Sequence, residues 1–467
     1  MSLYSYIDKH LLLPIADILY GSSLSTQLKV LKSSEFNDEN EILASQNKKL
    51  QSLVKHCYET VPYYQRVFKS LGLAPSDIQS REDLQKLPIL TKQIIRDNYD
   101  DFFSTAVPPK YRRHASTGGS TGTPLIFCTD KREWSLQRAS TIRAWENYGL
   151  HLGDKIFSLA GSSLIKKGGR LSSKSLYDKV IIRNHKYGCA DIDDAHLAVI
   201  LNEFKRIRPK AIRGYGSSLL ILARYMDRVG YHPDTVKLIL TTGEILMPNY
   251  RRELESFFNA PLYDAYGAGD GGIVSHECQN HHLHITEDLC IIEITDKDGK
   301  VLPTGKVGYV TSTDLENYVF PFLRYQVGDM SYIRNEQCSC GRHTLQFGEV
   351  MGRAGRLVFN KQGVPISPTV LPMLLYPEKD YHKLENQVLY NRIDRFQIRQ
   401  DKKGDIQVLL KMKERVDEDP ERYSFIITNF RNHFLGSDVT LSFVNEIPVL
   451  PSGKEDYCVS EFEYDVF

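Results

Sequence analysis

Val236-Lys237-Leu238-Ile239-Leu240-Thr241-Thr242-Gly243-Glu244 is a short apolar run closed by turn residues. Such a run reads as a strand that ends at Thr241-Thr242-Gly243-Glu244. Its neighbours alternate with it. Downstream, residues 249–258 carry a helical pattern and 261–266 form the next strand. Upstream, 219–229 is a helix closed by Gly230, 211–215 a short strand, and 191–207 a helix capped by Asp191 or Asp193. Residues 155–160 read as a strand, preceded by a long helix over 131–148. Strand and helix alternating at this spacing predict a mainly parallel sheet covered by helices. Ligands of such sheets bind beyond the carboxyl ends of the strands. Gly243-Glu244 and Tyr266-Gly267-Ala268-Gly269-Asp270 are therefore candidate site residues.

The flanks differ in character. Residues 1–100 read as mostly helical: Leu50, Leu53, Val54, Cys57, Tyr58 and Val61 fall at helical spacing until Pro62 breaks the pattern. Short helices begin after Pro75 and Pro88. Over 284–335, short β-type runs such as 290–294 and 307–312, separated by turns such as Asp298-Gly299, predict an antiparallel sheet. The tail mixes helix with strands at 397–399 and 407–411. The expected fold is α/β. A large multi-layer N-terminal domain, 1–352, has parallel sheets and a β-rich part, and a small α+β C-terminal domain spans 353–467.

Composition sets bounds. Hydrophobic residues at 41% and charged residues at 25% are globular values, and 467 residues suffice for a large core. A formal net charge of +1 argues against nucleic acid or an anionic membrane as the main partner. Residues 11–20 are apolar but interrupted by Pro14 and Asp17, which reads as a helix docked on the core, not a signal peptide. No run approaches the ~20 apolar residues of a spanning helix. Eight cysteines without a secretory signal predict reduced thiols and a cytoplasmic protein.

Ser116-Thr117-Gly118-Gly119-Ser120-Thr121-Gly122-Thr123-Pro124 has nothing to pack into a core. It offers backbone N–H groups that can turn toward one point, with hydroxyls beside them, a concavity for a polyphosphate. No Gly-Lys-Ser/Thr follows, so it is not a Walker A loop. Residues 125–129 read as a strand, which places a phosphate-holding turn between two strands. A flexible linker of small residues is the alternative.

These pieces come in a set order. The loop precedes Thr242-Gly243-Glu244, then Asp264-Ala265-Tyr266-Gly267, Arg324-Tyr325-Gln326-Val327-Gly328-Asp329, Gly352-Arg353 and Pro451-Ser452-Gly453-Lys454. Val61-Pro62-Tyr63-Tyr64 and Leu87-Pro88-Ile89-Leu90-Thr91-Lys92 stand before it. The series resembles the adenylate-forming superfamily of acyl-CoA synthetases. It is most similar to the phenylacetate–CoA ligase-like branch, which includes relatives linked to capsular polysaccharide synthesis. The likeness covers about residues 50–460. It implies ATP-dependent activation of a carboxylic acid to an acyl adenylate, with release of pyrophosphate. Transfer follows to a thiol of coenzyme A or a carrier protein, or to an amine such as that of an amino sugar.

The resemblance also assigns residues. Thr117, Gly119, Ser120, Thr121 and Gly122 match the phosphate loop, Asp329 the ribose-binding aspartate and Tyr266 the residue flanking adenine. Gly243, Glu244, Asp264, Gly267 and Arg353 complete the implied nucleotide site. Its catalytic positions are Thr121, Asp270 and Lys454. A lysine there can bridge the carboxylate and the α-phosphate as charge shifts. Asp270 stands where the family has the glutamate that helps hold Mg2+. Gly355 replaces the usual hinge aspartate and Gly118 the expected loop serine. These departures support a competing reading, a nucleotide-binding or scaffolding protein on a degraded ligase fold.

Cys278, His284, Cys338 and Cys340 form a Cys₃His set suited to structural Zn2+, and similar sets occur in the phenylacetate ligase branch. His276, His281 and His282 are alternative ligands. For the acid, Trp145, Tyr187, Tyr215 and Gly243 are candidate pocket residues by their place near strand ends and the long helix. An aromatic acid is the family default.

Overall fold

The computed structural model describes residues 3–116, 125–160, 177–178, 180–188, 194–353, 358–361, 365–366, 371–375, 389, 392–448 and 456–462. Its centre is an eight-stranded sheet. In chain order the strands are β3 (Ile156–Ala160), β4 (Asn184–Gly188), β5 (Ala211–Gly214), β6 (Leu238–Thr242), β7 (Leu262–Ala268), β8 (Ile273–Glu277), β9 (Leu283–Ile285) and β13 (Gln346–Phe347). They lie in the order β13-β9-β8-β7-β6-β5-β3-β4. From β4 to β7 every pairing is parallel, and from β7 to β13 every pairing is antiparallel.

The apolar run of β6 explains this centre. Successive side chains of a strand point to opposite faces. Ile239 packs with Phe157 and Ile212 against α7 (Asp194–Ile207), α8 (Gly216–Arg228) and α9 (Pro248–Phe258). Leu238 and Leu240 pack on the other face with Ala211, Ile156 and the helix α6 (Lys131–Asn147). Both faces are covered, so the strand is apolar without alternation. Asp130 caps α6 by accepting from the Glu133 N–H at 2.8 Å. The 11–20 segment is only partly docked: in α1 (Leu13–Tyr20) Leu13 is buried, while Ile18 and Leu19 are exposed, and the next helix, α2 (Leu24–Ser33), buries Leu24, Leu28 and Leu31.

A second sheet is antiparallel, in the order β10 (Cys290–Thr295), β11 (Gly308–Asp314), β12 (Tyr325–Ser331), β14 (Gly352–Arg353). Its core includes Leu50, Leu53, Val54 and Cys57 of α3 (Glu39–Thr60) and Phe68 of α4 (Pro62–Leu71). Pro62 opens α4 at its first turn, where a missing N–H costs nothing. Tyr58, placed on the same helical face by spacing, is exposed.

The segment before α5 (Lys92–Asp97) is tied to β12: the Leu90 N–H donates to Arg324 O at 3.0 Å, and Gln326 N–H donates to Leu90 O at 2.9 Å. Arg324 is buried and takes a left-handed φ of 50°. Its guanidinium holds that place through Glu293 at 3.0 Å and the carbonyls of Leu87 and Gly299 at 2.8 and 2.6 Å.

Two strands, β1 (Arg113–Ser116) and β2 (Ile126–Thr129), pair antiparallel on either side of the glycine-rich stretch, with Ser116 opposite Ile126. In the tail, β15 (Val358–Phe359) pairs antiparallel with β16 (Pro365–Ile366), and β17 (Ile393–Gln400), β18 (Ile406–Met412), β19 (Val439–Phe443) and β20 (Cys458–Ser460) form a mixed sheet in the order β19-β18-β17-β20. Its core includes Phe430 of α10 (Ser424–His433) and Met247 from the turn after β6. No helix among the described residues is long and apolar enough to cross a membrane.

Candidate active site

The carboxyl ends of β6 and β7 open into a cleft of about 380 Å³. Gly243, Glu244, Asp264, Tyr266, Gly267, Asp329 and Arg353 all line it, and Tyr457 beside β20 closes one side. These residues come from the turn after β6 and from β7, β12 and β14, and the sheet register brings them together. Thr241 stands opposite Asp264, Thr242 opposite Ala265, and Asp329 opposite Arg353. Gly243 turns the chain away from β6 at φ 81°, a conformation a side chain would strain.

Asp329 is buried, and its two oxygens have different partners. Tyr266 donates its hydroxyl to Oδ2 at 2.8 Å, and Arg353 Nε lies 3.1 Å from Oδ1. A carboxylate offers about four acceptor positions, so lone pairs remain for further donors. Tyr266 stands edge-on to Phe347, with centroids 5.3 Å apart, and burial raises its phenol well above the ordinary value. Arg353 donates through Nη1 to Val327 O at 2.6 Å. A Cβ on Gly328 would come within 3.2 Å of that Nη1, which favours glycine there.

Glu244 turns toward the helix behind it, accepting from Ser217 Oγ at 2.7 Å and from the Ser217 N–H at 3.2 Å at the start of α8. A carboxylate is favourable at that positive helix end. Asp264 accepts from Thr241 Oγ1 at 2.6 Å. Burial pushes its carboxyl up to about 7, with Glu277 adding to the shift and Thr241 opposing it.

Asp270 is buried beside the cleft, and Tyr325 donates to its Oδ2 at 2.7 Å. Lys92 Nζ lies 3.6 Å from the same oxygen. Burial lowers the Lys92 ammonium below its ordinary value, opposed chiefly by Asp270. Lys92 was not among the expected site residues, although its motif was. It arrives because the Leu90–Gln326 contacts set the start of α5 against β12. Oδ1 of Asp270 has no hydrogen bond among the described residues. Magnesium is held by one or two carboxylates plus substrate phosphates, and this donor fits such a role.

A second cavity of about 200 Å³ shares Asp264, Ala265, Tyr266 and Gly267 with the cleft. Trp145, Arg213 and His276 also line it. Trp145 and Arg213 continue into a third cavity of about 220 Å³. Tyr187 and Tyr215 line neither of these cavities nor the cleft. Tyr187 stacks on Phe157 at 4.7 Å and donates to Glu203 at 2.8 Å, and Tyr215 precedes α8 and packs on the same core. Arg213 was missed; its parity on β5 was the available signal, since it faces α6 with Ala211 while Ile212 faces the opposite core.

The Cys₃His set meets at one point. Donor atoms of Cys278, His284, Cys338 and Cys340 all lie within 4.8 Å of one another. Cys278 and Cys338 sulfurs are 3.5 Å apart, and Cys340 Sγ is 3.3 Å from His284 Nε2. His284 Nδ1 contacts Thr344 Oγ1 at 3.0 Å, which orients the ring with Nε2 toward the sulfurs. The donor types and clustering fit tetrahedral zinc. His276 is not part of this cluster; burial pushes its imidazole down to about 3, with Arg143 and Arg213 adding to the shift. His281 contacts Glu277 at 3.1 Å, and His282 lines the cleft.

Thr117, Gly118, Gly119, Ser120, Thr121, Gly122, Gly355 and Lys454 lie outside the described residues, as do Asp191 and Asp193.

No protein-family model matches the chain. A phenylacetate-coenzyme A ligase of Thermus thermophilus is 28% identical over 341 residues, covering 71% of this chain and 74% of that protein. Protein CapK of Staphylococcus aureus is 23% identical over 432 residues, covering 91% and 90%. Among solved structures, a 2-hydroxyisobutyryl-CoA ligase in the postadenylation state, in complex with R3-HIB-AMP, superposes with a TM-score of 0.72. It is 19% identical, and the match covers 93% of this chain and 92% of that one.

Proposed function

We infer that the chain, which is similar to phenylacetate-coenzyme A ligases and to CapK, belongs to the phenylacetate–CoA ligase-like branch of the adenylate-forming superfamily and activates a carboxylic acid with ATP. A carboxylate oxygen attacks the α-phosphorus, the bond from that phosphorus to the bridging oxygen breaks, and pyrophosphate leaves. The acyl adenylate then passes its acyl group to a thiol of coenzyme A or a carrier, or to an amine. The observation that carries this reading is the meeting of Gly243, Asp264, Tyr266, Asp329 and Arg353 in one cleft. Such a mix of carboxylates, a cation and an aromatic wall suits ribose and adenine beside a phosphate chain.

In this reading Asp329 accepts from the vicinal ribose hydroxyls, and Tyr266 walls the adenine while holding the Asp329 carboxylate in place. Arg353 fixes the other oxygen of that carboxylate through its ion pair at 3.1 Å. Lys92 and Lys454 bring positive charge to an attack between two anions, which must be neutralised and aligned. Thr117, Gly119, Ser120, Thr121 and Gly122 would cradle the phosphates, as the resemblance implies. Magnesium, bound with Asp270 as a donor, would supply charge neutralisation at those phosphates. Zinc would tie the β8–β9 hairpin to the turn at Cys338 and Cys340, a structural role. We also propose a large domain, 1–352, and a small one, 353–467, whose docking presents Lys454. Cytoplasmic ATP and reduced thiols suit this chemistry. As the finer reading we propose a place in polysaccharide synthesis with an amino sugar as acceptor; the likeness to CapK is one of sequence and length alone.

The test is pyrophosphate release from the purified full chain, with ATP and a panel of carboxylic acids. Acid-dependent release is expected. Nucleotide binding without release from any acid would overturn the enzymatic reading and favour a nucleotide-binding protein.

A further inference from the structure

The cavity beyond the nucleotide cleft is cationic. Ser158 on β3 pairs with Lys186 of β4 on one side and Arg213 of β5 on the other. The two cations thus flank Ser158 in one row across the sheet, on the face that α6 covers. Arg138 of α6 lines the same cavity. Arg138 and Lys186 share one carboxylate, Asp178, with Lys186 at 2.7 Å. Arg213 has neither an ion pair nor a hydrogen bond among the described residues. Its neighbour is the face of Trp145, 6.0 Å from the ring centroid. Burial, followed by the charge of Arg138, lowers the Arg213 guanidinium below its ordinary value, opposed by Tyr215 and by Asp178, which lies beyond ion-pair contact. His276 beside it does not supply an anion.

A withdrawn guanidinium with no carboxylate in contact is costly unless something else meets it. Its position says what. The cleft and the second cavity share Asp264, Ala265, Tyr266 and Gly267 as walls, and in the ligase reading this strand is where an acid presents its reacting carboxylate to the nucleotide. Arg213 lines the second and third cavities but not the cleft, so it stands at the far end of the acid. Between the two ends, Trp145 offers a flat wall, and Trp134 continues it. These are the only two tryptophans of the chain.

Resting on the ligase reading above, we propose that the acid carries a second anionic group at its far end, held by Arg213 with Arg138 and Lys186 beside it. Arg213 is then the residue that sets acid specificity. A carboxylate or a phosphate would present the same anion to the guanidinium fork.

The experiment compares matched acids on the full chain: phenylacetate, 1,4-phenylenediacetate, and phenylacetate bearing a para-phosphonomethyl group. Acid-dependent pyrophosphate release gives kcat and KM, and tryptophan fluorescence gives binding without turnover. The wild type should favour a doubly anionic acid by about tenfold or more in kcat/KM, the scale of one charge-assisted contact. The better of the two anionic acids identifies the far group. Arg213→Met should invert the preference, mainly through KM, and Arg213→Lys should restore part of it. Fluorescence titration by the doubly anionic acids should weaken in parallel in Arg213→Met. A wild type that favours phenylacetate overturns the proposal but leaves the ligase reading intact. Equal loss of all acids in Arg213→Met also overturns it, because Arg213 would then hold the reacting carboxylate. If neither these acids nor any of the wider panel of carboxylic acids releases pyrophosphate, the ligase reading fails. Fluorescence then still decides whether Arg213 selects the second anion.

Discussion

Asp329 and Arg353 stand opposite each other on β12 and β14, with Arg353 Nε 3.1 Å from Asp329 Oδ1. Tyr266 holds the other oxygen of the same carboxylate. Two neighbours therefore fix the direction of a group that lines the cleft, which is what a ribose acceptor needs. Asp329→Ala should weaken ATP binding about tenfold to a hundredfold, from the loss of charge-assisted hydrogen bonds to the ribose. Calorimetric titration with ATP measures it, with circular dichroism to check the fold. Unchanged affinity in a folded variant would remove Asp329 from the ribose site.

The metal cluster gives a second prediction. The purified chain should contain about one zinc by elemental analysis. Cys338→Ser should lower that content and the thermal midpoint together, because Cys338 joins a turn distant in sequence to Cys278 at 3.5 Å. Chelation of the wild type should reproduce the loss of midpoint. A chain without metal that melts like the untreated protein argues for four reduced, packed side chains instead.

Much of this was legible because the central strands are buried on both faces. Leu238-Ile239-Leu240 is apolar throughout, and its turn ends at Gly243, so the strand and its active end could be read together. Side-chain direction was harder. Tyr187 lies opposite Leu159 in the register and shares the core behind the sheet, whereas its neighbour Lys186 faces α6. Closeness to a strand end suggested Tyr187; parity selects Lys186. Lys92 was hidden for another reason. Its place depends on contacts between Leu90 and both Arg324 and Gln326, which no local pattern announces.

Asp264 gives a pH prediction. Its carboxyl is pushed up to about 7 in the fold against an ordinary value of 3.8, chiefly by burial. Between those two values the unfolded chain has released this proton while the folded chain keeps it. The folded state then binds more protons, so this group lowers stability as pH rises from about 4 to about 7, and adds no further change above that. Asp264→Asn removes the titration. The stability of the variant relative to wild type should rise over that window, by up to about 1.4 kcal/mol per pH unit, and level off beyond it. Urea unfolding at intervals from pH 5 to 8 measures the difference. Parallel profiles for the two proteins would show that Asp264 is already ionised in the fold.

Lys92 supplies the sharpest test of the reacting end. Its ammonium lies 3.6 Å from Asp270, is partly withdrawn from solvent, and interacts electrostatically with Asp329 and Arg353. Two roles fit that place. As a neutraliser, it would only balance Asp270, which already has the Tyr325 hydroxyl at 2.7 Å. As a stabiliser of the transition state, it would meet charge developing near the α-phosphate, and its loss should cost about a hundredfold in adenylation. Lys92→Met alone does not separate them, because removing either partner of a buried pair leaves the other uncompensated. The double variant Lys92→Met/Asp270→Asn does, provided Asp270→Asn alone is measured as its reference. If Lys92 only balances Asp270, removing the lysine in the Asp270→Asn background should cost almost nothing. If it acts on the reacting phosphate, most of the hundredfold loss should persist in that background, while ATP affinity changes much less. Pyrophosphate release under single-turnover conditions reads the first quantity, and calorimetry the second. A loss that disappears in the Asp270→Asn background would return Lys92 to a role in the architecture of the site.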